Sequence, residues 1–124
     1  MIKDLEPNYT HKARLLHTID GDTMWFECKQ SFFNKTDIEI RLHRVDTPEK
    51  GELGYEESIK FVEEKCKDKE LRVITFKVKS RQAALGEQTK RGKYRRFIGE
   101  VYYPSEDGWI NLNDELVKAG LAKY

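Results

Sequence analysis

Cysteine and histidine are scarce in this chain of 124 residues, no charge of one sign dominates it, and it has no long apolar run. Each absence excludes something. Two cysteines, Cys28 and Cys66, cannot make a disulfide framework, and their spacing fits no zinc site. Both fall in apolar patterns, as buried free thiols do. His11, His17 and His43 also lack metal-ligand spacing, so none is assigned a catalytic role. The formal net charge is +1, so the total says little about polyanion binding. No apolar stretch approaches the roughly 18 residues of a membrane span. The start, Met1-Ile2-Lys3-Asp4-Leu5-Glu6-Pro7, has no signal-peptide core. As written, the chain reads as soluble and cytoplasmic, with no membrane partner; a secreted protein whose leader had been removed would read the same.

What is present is a small core under a very polar surface. Hydrophobic residues make up 38% and charged residues 36%, while aromatics at 11% suffice to fill a compact interior. The length favours one domain. Residues 1–10 read as a flexible N-terminal arm and residues 11–124 as a single domain. Charge is unevenly spread. Between Lys77 and Arg96 the basic residues face Glu87 alone, whereas acids concentrate between Glu49 and Glu64. That suits either a polyanion binder with a charged back or a solvated loop.

Lys12 to Ile19 alternates as a strand, Asp20-Gly21 signals a hairpin, and Met24, Phe26 and Cys28 share one face of a second strand. Ile38, Ile40 and Leu42 form the apolar row of a third, with Arg41 on the opposite face. Pro48, Gly51 and Gly54 keep the next stretch irregular. Tyr55 to Lys67 has helical spacing, with Tyr55, Ile59, Val62 and Cys66 on one stripe. Leu71 to Val78 and Arg95 to Tyr103 are further strands, separated by a polar loop. A short helix ends the chain, with Asn113 as N-cap and Gly120 as its stop. The pattern is mainly β with helices. It predicts a five-stranded OB-fold barrel with a helix inserted after strand three and a short C-terminal helix. An SH3-like barrel is the structural competitor, although it does not normally carry that internal helix.

The chemistry concentrates in Ile19-Asp20-Gly21-Asp22-Thr23 and in Arg41 through Val45-Asp46-Thr47-Pro48-Glu49. Hard oxygen ligands, a candidate general base and a fixed cation are the parts of a calcium-dependent phosphodiesterase. A second arginine is available in Lys93-Tyr94-Arg95-Arg96. Each piece alone has a plainer reading. Asp22 reads equally as a turn former, Asp46-Thr47-Pro48-Glu49 as a capping motif, and Arg41 as a surface ion-pair partner.

Together, and with Leu112-Asn113 through Leu116-Val117-Lys118-Ala119-Gly120-Leu121-Ala122, these motifs closely resemble the staphylococcal nuclease (thermonuclease) family over Lys12 to Lys123, nearly the whole chain. The resemblance implies an OB-fold nuclease dependent on Ca2+, hydrolysing DNA and RNA, single-stranded or frayed, with low sequence specificity and leaving 3′-phosphates. It implies Asp22, Asp46 and the main-chain carbonyl of Thr47 as metal ligands. It implies Glu49 as the residue that holds or deprotonates water, with Arg41 and Arg96 gripping the phosphate. Lys93, Tyr94 and Arg95 become substrate-binding, and Asp20 shapes the surroundings of the site. A monomer is expected. Arg95 stands where the family usually has glycine. The alternative is a non-catalytic OB-fold module of the same family that binds nucleic acid or protein.

Overall fold

The computed structural model describes residues 9–29, 34–76 and 96–124, with the side chains of Tyr9 and Arg96 outside that description. The expected arm up to Asn8 and the expected site residues Lys93, Tyr94 and Arg95 also lie outside the described residues. Among the described residues six strands and two helices follow in the order β1 (Tyr9–Asp20), β2 (Thr23–Lys29), β3 (Lys35–Leu42), α1 (Tyr55–Cys66), β4 (Leu71–Phe76), β5 (Arg96–Ser105), β6 (Gly108–Asn111) and α2 (Leu112–Lys118).

Neighbouring strands pair in the order β3-β2-β1-β4-β5-β6, and β3 also pairs with β5. That last pairing is parallel, with Ile40 opposite Phe97 and Leu42 opposite Gly99, and it closes five strands into a barrel. The fold is therefore an OB-fold barrel with a helix after the third strand, plus a sixth strand. Closure brings backbones close together at Gly99, where a β-carbon would stand 2.9 Å from the carbonyl oxygen of Ile74.

Alternation holds where the sequence shows it most plainly. Met24, Phe26 and Cys28 on β2, and Ile40 and Leu42 on β3, are fully buried. On β1 it breaks. Ala13 and Leu15 are buried, but the register shifts between Leu15 and His17 and again between Thr18 and Asp20. These bulges bend the strand and turn Ile19 outward to 41% exposure, against the pattern predicted from its spacing. On β4 both faces are covered: Leu71, Val73, Ile74 and Thr75 are all buried.

The buried stripe of α1 is Ser58, Val62 and Cys66, spaced four residues apart, rather than one running through Ile59. Helix α1 starts after Gly54, whose φ is 93° and which provides no side-chain cap. The N-cap of α2 is Asn111, not Asn113: its side chain accepts the Asp114 N–H at 2.9 Å. Asn113 turns inward, accepts the Val101 N–H at 3.1 Å, and donates to the carbonyls of His43 at 2.9 Å and Gly99 at 3.2 Å. It thereby ties α2 to the barrel seam. Gly120, at φ 78°, ends the helix in a Schellman turn, with Leu121 N–H on the Leu116 carbonyl and Gly120 N–H on that of Val117.

Cys28 and Cys66 are free and buried. Desolvation pushes their thiols up to about 11 and about 12, so both stay protonated and inert. Among the described residues no helix is long and apolar enough to cross a membrane.

Candidate active site

The two-residue turn between β1 and β2 carries Asp22. Asp20 and Thr23 pair across it, and neither Gly21 nor Asp22 has a positive φ. Glycine is needed here for proximity. A β-carbon on Gly21 would lie 2.3 Å from Ser58 Oγ, 2.7 Å from Ser58 Cβ and 3.0 Å from Thr47 Cβ. The turn is thus pressed between α1 and the loop after β3. Ser58 fits beneath it because its hydroxyl is satisfied by the Tyr55 carbonyl at 2.7 Å. Tyr55 in turn donates its hydroxyl to the Ile19 carbonyl at 3.0 Å, a second tie between helix and hairpin. Desolvation first, then the charge of Asp20, raises the Tyr55 phenol above its ordinary value.

Asp22 is nearly buried and well partnered. Oδ1 accepts from Thr23 Oγ1 at 3.2 Å, and Oδ2 accepts from the Thr47 N–H at 3.2 Å. Its carbonyl accepts the Leu42 N–H at 2.8 Å, so the turn is also stitched to the end of β3. Arg41 lies directly across from Thr23 on β3. Its Nη1 donates to the carbonyls of Leu42 at 2.8 Å and Val45 at 3.1 Å, which curls the following loop back around the side chain. Its Nη2 contacts Asp46 Oδ1 closely and stands 3.4 Å from Asp22 Oδ2. One nitrogen therefore holds together two carboxylates that are distant in sequence.

Asp46 is fixed by its main chain. It exchanges two hydrogen bonds with Lys123, at 2.8 and 2.9 Å, in an isolated antiparallel bridge. Past Pro48, Glu49 is exposed, and its N–H donates to Glu52 Oε1 at 2.7 Å. Asp20, Asp22, Arg41, Asp46, Thr47 and Glu49 all line one cleft of about 480 Å³. Arg96 enters through its main chain alone, opposite Glu39 on the strand beside β3, while Arg41 stands opposite Ile98.

Thr23, Glu52 and Lys123 also line this cleft, and reading the sequence did not single them out. Glu52 lies three residues past Glu49, a spacing shared by many helix and turn starts. Lys123 reaches the cleft through main-chain pairing, which leaves no side-chain signature. Among the described residues no three His, Cys, Asp or Glu side chains converge tightly enough to hold a metal by themselves.

The cleft's charge decides what it can accept. Asp20, Asp22, Asp46, Glu49 and Glu52 oppose only Arg41 and Lys123. A phosphate entering that acid excess meets net repulsion unless a cation comes with it. Hard carboxylate and carbonyl oxygens are the donor set that calcium or magnesium takes. Thr47 Oγ1, buried with no hydrogen-bond partner among the described residues, is a further oxygen at this point.

The described residues thus make an OB-fold barrel with an acid-rich, arginine-centred cleft at one end of its β1–β2 hairpin. The family comparison makes it specific: residues 39–124, more than half the chain, match the model described as staphylococcal nuclease homologue, and the chain belongs to that family. The matched span contains Arg41, Asp46, Thr47, Glu49 and Arg96 and begins after Asp20 and Asp22. The uncharacterized protein MJ1439 of Methanocaldococcus jannaschii is 26% identical over 134 positions, covering 90% of this chain. The chain spans 58% of that relative's length.

Proposed function

We propose that the protein is a calcium-dependent nuclease that hydrolyses phosphodiester bonds of DNA and RNA with little sequence preference. The observation that supports this best is Arg41 Nη2 lying against both Asp22 and Asp46 inside the cleft that Glu49 also lines. Asp22, Asp46 and the Thr47 carbonyl would hold the ion, and water would complete the roughly 6–8 oxygens calcium takes. When bound, calcium supplies the positive charge that lets the phosphodiester approach and the five-coordinate phosphorus form.

The remaining steps belong to the chain's own side chains. Arg41 presents a planar fork that matches two phosphate oxygens, and its present partners are exchangeable because Asp46 is 61% exposed. Glu49 is exposed, and among the described residues its carboxylate has no partner, so it accepts a proton from water as that water's oxygen bonds to phosphorus. The bond from phosphorus to the 5′ oxygen breaks, the 5′ oxygen takes up a proton, and a 3′-phosphate remains. Arg96, with Lys93, Tyr94 and Arg95, would supply the second grip on the substrate, as the family resemblance implies. Contacts run to the backbone rather than to base edges, so single-stranded or frayed DNA and RNA are equivalent and binding weakens with salt. The protein acts as a monomer.

The test uses heat-denatured DNA in calcium or in chelator, with the wild-type chain and Glu49→Gln. Degradation should require calcium and fall about 10²–10⁴-fold in the variant. Salt-sensitive binding without degradation in any tube would replace the enzyme by a nucleic-acid-binding module of the same family.

A further inference from the structure

The cleft around Arg41 continues into a second one, also of about 480 Å³, and Asp46, Thr47, Glu52 and Lys123 help wall both. The rest of its lining is different in kind: Pro48 and Leu53 come from the loop before α1, Leu121 and Ala122 from the segment after α2. Leu121 and Ala122 pack partly on the core, so that side is firm. Leu53 is 96% exposed and buries almost no surface. Lys123 lies at the boundary, its main chain pinned to Asp46, its ammonium in no ion pair among the described residues. A cleft with an apolar portion, continuous with a polar cleft and with a cation where they join, has the chemistry of a nucleotide: a flat apolar base beside a charged linkage.

We propose that this second cleft seats the base of the nucleotide next to the phosphate held by Arg41, with Lys123 on a phosphate oxygen. The proposal rests on the nuclease reading for its substrate class. The volume lies within the roughly 300–1,000 Å³ of small-molecule sites. Pro48, Leu53, Leu121 and Ala122 carry no side-chain hydrogen-bonding group, so this part of the lining feels a base's presence and not its identity, while the polar residues lie where the two clefts join. Low sequence preference follows from that wall.

The experiment measures binding in calcium to full-length Glu49→Gln, with a fluorescent six-nucleotide DNA and the same backbone made wholly abasic. The DNA should bind about tenfold tighter than the abasic chain, the worth of burying part of a base. Adding Leu53→Ser should remove most of that difference and leave abasic binding unchanged; a thermal melt checks that the exposed site has not altered folding. Adding Lys123→Gln should weaken both ligands about threefold and lower the salt slope by about one charge. Equal binding of the two ligands, an unchanged difference after Leu53→Ser, or no binding of either overturns the proposal. If the wild type cuts DNA while these differences are missing, the base slot falls and the nuclease stands. If the differences appear and the wild type never cuts, the slot stands in a protein that binds without hydrolysis.

Discussion

Arg41 and Arg44 lie on the same segment and each contacts two carboxylates, yet the two centres are built differently. Arg44 grips Glu100 with Nε at 2.9 Å and Nη2 at 2.8 Å, and reaches Asp114 at 3.0 Å. The Glu100 side chain is only 5% exposed, and Asn111 Nδ2 also donates to it at 2.8 Å. Hydrogen bonding to Glu100 raises the affinity of Arg44 for its proton, and the Tyr124 ring lies 5.5 Å from the guanidinium. Arg41 instead divides one nitrogen between Asp22 and an Asp46 that faces solvent. A two-pronged bond to a buried carboxylate is a fixture, because breaking it strands a charge. A one-pronged bond to an exposed carboxylate exchanges readily. Each centre pairs one buried carboxylate with one exposed one, and what differs is the grip: two prongs on buried Glu100 against a single nitrogen 3.4 Å from Asp22.

The clamp should give the largest effect. Arg44→Ala leaves Glu100 buried with Asn111 as its remaining donor, and should cost about 3 kcal/mol in a denaturant melt. Arg44 also sits at φ 73°, a conformation a side chain strains to adopt. Arg44→Gly should therefore be about 1 kcal/mol less damaging than Arg44→Ala. Both variants, once folded, should keep the activity of the cleft. Arg41→Ala should show the reverse: stability within about 1 kcal/mol of wild type, and hydrolysis down about 10²–10³-fold. An Arg41→Ala chain that melts below Arg44→Ala would erase the distinction.

The third substitution probes what holds the site in place of ion pairs. Gly21→Ala drives a β-carbon into Ser58, which is fully buried in α1 and cannot retreat. Such overpacking typically costs about 1–3 kcal/mol. The turn carries Asp22, so activity should fall by more than the stability loss explains at a temperature where the chain stays folded. A Gly21→Ala chain that is less stable but fully active would mean that the position of Asp22 is not set by this contact.

The contrast between the arginines also shows what a sequence reveals. Ile38, Ile40 and Leu42 alternate visibly, and the burial of all three on β3 follows directly. The parallel seam between β3 and β5 has no such signal, because its register comes from barrel closure rather than from either strand. Strand β6 leaves no pattern in the sequence: Gly108–Asn111 is four residues long, too short for a period to emerge. The helix start was placed at Asn113 because asparagine favours both caps and turns, and only packing separates the capping Asn111 from the buried Asn113. At the cleft, Asp22, Arg41 and Asp46 were suggested by family resemblance and prove to be neighbours. That Arg44 would be a clamp was not legible, since its partner Glu100 lies far along the chain and nothing local marks it as buried.

The smallest effect concerns pH and serves as a control on both arginine centres. His11, opposite the fully buried Val73 on β4, is held below its usual value of 6.5 by desolvation. The folded chain therefore binds this proton more weakly than the unfolded chain does. Stability is then fully present above 6.5 and declines as the pH falls through that value towards the lower folded pKa. Melts taken from pH 8 to pH 5 should show this decline, and His11→Gln should flatten it. Substituting Arg41 should leave the decline unchanged, because the seam between β1 and β4 carries neither Asp22 nor Asp46. A decline that survives in His11→Gln would mean that the seam holding His11 is not its source.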